Sequence, residues 1–61
     1  MSDLENVKQA RRCFQRAEAE LMMASSELKQ TKYFASTIDE IDETVEDIKK
    51  SIEHITKIIE Y

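Results

Sequence analysis

The chain has 61 residues, a formal net charge of −4, one cysteine, and no glycine or proline. A chain this short forms one small domain at most and buries only about 60% of its unfolded surface, so regular packing or association has to supply the rest of its stability. One cysteine excludes an internal disulfide, no Cys/His cluster has zinc spacing, and the missing glycine and proline remove phosphate loops, tight hairpins and most β architecture. All-α is the fold class that remains.

No stretch approaches the roughly 18 apolar residues of a membrane span. No apolar signal core follows the opening residues, and a lone thiol suits a reducing compartment, so a cytoplasmic location and no membrane contact are expected.

Ser2 followed by Glu5 has the form of a capping box and predicts a first helix over about 3–30. Within it Val7, Phe14, Leu21 and Leu28 recur every seventh residue, and a small residue follows each three places later: Ala10, Ala17, Ala24 and Thr31. In heptad notation the first set is a and the second d. Lys8, Arg11, Arg12 and Arg16 make a basic patch on the same helix, the kind of row that grips RNA phosphates. Met22 and Met23 fall outside the seam as adaptable contacts.

The segment "KYFAST", 32–37, separates this helix from the next and is read as the turn. Thr37 with Glu40 forms a second capping box and predicts a helix over 37–61. Its apolar residues, Ile38, Ile41, Val45, Ile48, Ile52, Ile55 and Ile59, step 3, 4, 3, 4, 3, 4, a strict a/d seam. Asp39, Glu40, Asp42, Glu43, Glu46 and Asp47 crowd its beginning, where the macrodipole favours acid.

Folded back antiparallel, the two seams match throughout. Leu28 meets Ile41, Ala24 meets Val45, Leu21 meets Ile48, Ala17 meets Ile52, Phe14 meets Ile55 and Ala10 meets Ile59, with Thr31 and Ile38 as the layer nearest the turn. The expectation is a single domain, 1–61: an antiparallel αα-hairpin with an alanine-rich, close-packed coiled-coil seam. The e positions on one flank set Glu18 beside Lys49 and Arg11 near Thr56, a solvated side.

The other flank, built on position g, is semi-apolar. Cys13, Phe34, Thr44, Ser51 and Ile58, with Met23 and Tyr61 just outside it, are surfaces that the hairpin seam does not cover. Such a strip is where a second hairpin docks, so a homodimer forming a four-helix bundle is expected, with Met22 added to the contact set.

Catalysis is not expected. Cys13 and His54 are the nucleophile and base available, and the register does not bring them together. No Glu-x-x-His or calcium-loop pattern occurs, so no metal or cofactor is expected. The functional expectation is a small non-enzymatic regulator, an inhibitor, adaptor or chaperone, binding another protein stoichiometrically through helix–helix contacts. Two alternatives use charge: an RNA-binding homodimer acting through Lys8, Arg11, Arg12 and Arg16, and a DNA-mimicking inhibitor acting through the 39–47 acidic row. With helix 2 strongly acidic, nucleic-acid binding is the less favoured class.

Overall fold

The computed structural model describes residues 2–60 and holds two packed helices, α1 (Asp3–Lys29) and α2 (Ala35–Glu60), folded into a hairpin. Its dimensions are 47 × 17 × 12 Å, a rod one helix pair thick. The start of α1 follows its capping signal: Ser2 is the N-cap, and its Oγ accepts the Glu5 backbone N–H at 3.2 Å. The Asn6 N–H donates to the Ser2 carbonyl at 3.1 Å and closes the first turn.

The turn occupies 30–34, a little earlier than expected, and the absence of glycine shapes it. Tight 3₁₀-type bonds end α1, from the Gln30 N–H to the Glu27 carbonyl at 3.2 Å and from the Thr31 N–H to the Leu28 carbonyl at 3.0 Å. The Thr31 hydroxyl donates to the Leu28 carbonyl at 2.7 Å and accepts the Tyr33 N–H at 3.3 Å, so one side chain holds both sides of the bend. Thr31 is therefore an exposed turn residue rather than a layer of the core. The chain then reverses through a left-handed residue, and Phe34 takes it, at φ 69°. A side chain with a Cβ pays about 1–2 kcal/mol for that conformation.

Phe34 also sets where α2 begins. Its carbonyl accepts the Ile38 N–H at 2.9 Å, so the helix starts at Ala35 and Thr37 lies inside the first turn instead of capping it. The acidic run consequently begins one turn in, and the first turn of α2 carries no acid. Because the dipole effect fades within a turn, the run gains less from it than the Thr37 start implied.

α2 presents its expected face. Val45 is the one buried hydrophobic residue among those described, and Ile38, Ile41, Ile48, Ile52, Ile55 and Ile59 are half-buried along the same stripe. α1 does not present its expected face. Val7, Leu21 and Leu28 are half-buried as predicted, but Ala10 and Ala24 are exposed, Ala17 is half-buried, and Phe14 lies at the edge at 37%. The inward row beside them is position e: Ser25 is 3% exposed, and Arg11 and Glu18 are half-buried.

The alanine-rich seam is thus corrected: α1 is rotated from its a/d edge toward its a/e edge. Alanine methyls offer little area to a row of isoleucines. The stems of Arg11, Glu18 and Lys8, which is also half-buried, cover more of it while their charged heads stay wet.

Candidate interaction surface

Rotation of α1 gives the hairpin two unlike flanks. On the e flank, Ser25 Oγ donates to Asp42 Oδ1 at 2.9 Å, and Lys29 Nζ stands 3.8 Å from Asp42 Oδ2. Ser25 and Lys29 are one helical turn apart, so both reach the same carboxylate. Towards the other end, Arg11 donates a long 3.4 Å bond to Thr56 Oγ1, the neighbour that the register assigned to it. Ser25–Asp42 and Arg11–Thr56 belong to one antiparallel register, since Ser25 to Arg11 and Asp42 to Thr56 span equal lengths of chain.

Beside the Ser25 pin, a shallow groove of about 470 Å³ opens between the helices, lined by Met22, Ser25, Ser26, Lys29, Asp42, Val45, Glu46 and Lys49. Small serines in place of a large side chain leave this notch. Its rim is charged, with Lys49 Nζ 3.5 Å from Glu46 Oε1. Met22 belongs here, on the opposite side from the g flank, so the structure does not gather all the predicted contact residues on one surface. The reading from residue types missed Ser25, although a serine level with an aspartate at facing e positions was a usable signal.

On the g flank, Cys13, Thr44 and Ser51 are exposed, and Ile58 and Phe34 are each 55% exposed. The exposed Ala10 and Ala24 adjoin this row on α1. Thr44 adds no unmet polar group, because its hydroxyl donates to the Glu40 carbonyl of its own helix at 2.9 Å. Covering it would leave no orphan donor. Tyr61 lies outside the described residues. Met23, at 63%, faces outward from α1.

The charged rows fare differently. Lys8 and Arg11 are half-buried along the seam, while Arg12 and Arg16 are exposed, so the basic patch is divided between two environments. In the acidic row, Asp42 and Glu46 are engaged with lysines, and Asp39, Glu40, Glu43 and Asp47 remain exposed with no ion pair within 4 Å among the described residues. Lys57 pairs along its own helix with Glu53 at 3.9 Å. Cys13 and His54 are both exposed. Among the described residues, no three His, Cys, Asp or Glu side chains converge on a common point that could hold a metal.

No described helix is long and apolar enough to cross a membrane. Set against protein-family models, curated proteins and solved structures, the chain matches none of them, and its functional reading rests on its own residues.

Proposed function

We propose that the chain is a small, non-enzymatic regulator that binds other proteins stoichiometrically through helix–helix contacts, and that it does so as a homodimer, a four-helix bundle closed across the g flank. The observation that carries the reading is surface area. The hairpin exposes 5006 Å², whereas a compact monomer of 7.2 kDa is expected to expose about 4,100 Å². The excess, about 900 Å², is close to what one partner contributes to a standard protein–protein interface. The exposed Ile58, Phe34, Ala10 and Ala24, with Thr44 already satisfied by its own helix, lie where that area can be covered at little desolvation cost.

In such a bundle the outward methionines, Met22 at 50% and Met23 at 63% exposed, remain as adaptable contacts for a client protein. The test is capture from a cytoplasmic extract with three baits: wild type, a Met22→Lys/Met23→Lys variant, and an Arg12→Ala/Arg16→Ala variant at the two exposed arginines, with Arg11 kept because it bonds to Thr56 across the hairpin. A protein partner lost with the methionine variant and kept with the arginine variant supports the reading. RNA that copurifies with wild type, is released by salt and is lost with the arginine variant overturns it in favour of nucleic-acid binding.

A further inference from the structure

We infer that the two hairpins of the dimer lie antiparallel, so that the aromatic tip of each covers the open end of the other; this rests on the self-association proposed above. Three independent features converge on it.

The first is where the large apolar side chains are left uncovered. At the tip, Tyr33 and Phe34 are 73% and 55% exposed, their rings meeting edge to face at 6.4 Å. At the open end, Ile58 on the g flank is 55% exposed. An antiparallel pair sets each tip against an open end, aromatic against aliphatic. A parallel pair sets tip beside tip, and leaves the open end to its like.

The second is charge. Division of the hairpin across its middle gives a tip half, 20–49, with three Lys/Arg and eight Asp/Glu, and an open half, 1–19 with 50–61, with six and five. The tip half therefore carries −5 and the open half +1, a strong axial asymmetry in a chain whose net charge is −4. Parallel association stacks the two acidic halves on each other. Antiparallel association sets each acidic half beside the other copy's open half, where Arg12 and Arg16 are exposed.

The third is the conformation of Phe34. A phenylalanine held at φ 69° and left more than half exposed has only its edge contact with Tyr33 to set against its backbone cost in the isolated hairpin. Coverage by a second copy supplies the missing gain, since burial of an aromatic ring contributes more than the left-handed conformation costs. A two-fold axis perpendicular to the helices satisfies all three features with one self-complementary surface.

The experiment measures the distance between two copies of one label. A nitroxide is attached to the Lys32→Cys variant in a Cys13→Ser background, and separately to Glu5→Cys in the same background; both sites are exposed. Sedimentation and circular dichroism of each labelled protein establish its dimer and its helices. Antiparallel association predicts that the separation between like labels at either end approaches the 47 Å length of the hairpin. A dimer with separations near the 17 and 12 Å short dimensions overturns the orientation and leaves self-association standing. A monomer in both labelled proteins and in wild type overturns both.

Discussion

Ser25 and Asp42 form the polar contact that ties α1 to α2 near the tip, a 2.9 Å hydrogen bond from the hydroxyl of a serine that is 3% exposed. Its two ends are unequal. Asp42 is half exposed and also neighbours Lys29, so it keeps access to water if Ser25 is removed, whereas the buried Ser25 has little water to turn to. Ser25→Ala is therefore expected to cost about 0.5–1.5 kcal/mol, and Asp42→Ala more, about 1–3 kcal/mol, through the orphaned buried donor. Urea unfolding of both single variants and the double variant checks the order, and a double variant no worse than Asp42→Ala confirms the coupling.

Thr31 gives a prediction of sign. As a core layer opposite Ile38, it would gain from Thr31→Val, which replaces a hydroxyl with a methyl. As the residue bridging the Leu28 carbonyl and the Tyr33 N–H, it should lose about 0.5–1.5 kcal/mol. The unfolding midpoint decides between them, and a higher midpoint for Thr31→Val would place the side chain in the seam.

Phe34→Gly separates folding from association. Removal of the Cβ at φ 69° relieves about 1–2 kcal/mol of backbone cost, partly offset by the greater freedom of glycine in the unfolded chain. The isolated hairpin should become more stable by up to about 1 kcal/mol, while the dimer, losing a ring from its interface, should weaken. Unfolding measured across a concentration series reads both effects, and opposite signs are the expected result.

How far the residues alone disclosed this molecule depends on the helix. The stripe from Ile38 to Ile59 is strict in spacing and strong in chemistry, so α2 buries the face that its pattern dictates. α1 offers a weaker pattern, four large residues with alanines between them, and nearly equal apolar surface on either side of position a. Its rotation was decided by terms that a heptad count does not weigh: the aliphatic stems of Arg11 and Glu18 and the pins Ser25–Asp42 and Arg11–Thr56. The register survived that rotation because rotation of a helix about its axis moves no residue along it. The turn was located but not resolved, because the left-handed residue fell to Phe34 in the absence of glycine, and a pattern of residue types does not announce that choice. On the candidate surface, Cys13, Phe34, Thr44, Ser51 and Ile58 are exposed, and Met22 lines the groove on the e side, where its b position sets it.

Ile58→Lys probes the flank itself. The residue is 55% exposed in the hairpin, so a lysine there should change the helix content little and alter hairpin stability within about 0.5 kcal/mol. Buried between two copies, the same lysine brings an unpaired charge into the interface and should shift the dimer strongly toward monomer. Equal loss of helicity and of association would mean that Ile58 acts through the fold.

Sedimentation equilibrium of the unmodified chain at micromolar concentration is the most direct measurement of the central claim, that the hairpin completes its core by pairing across the g flank. Pairing across the g flank gives a species of twice the 7.2 kDa chain mass. A single helical species at 7.2 kDa throughout that range would contradict it.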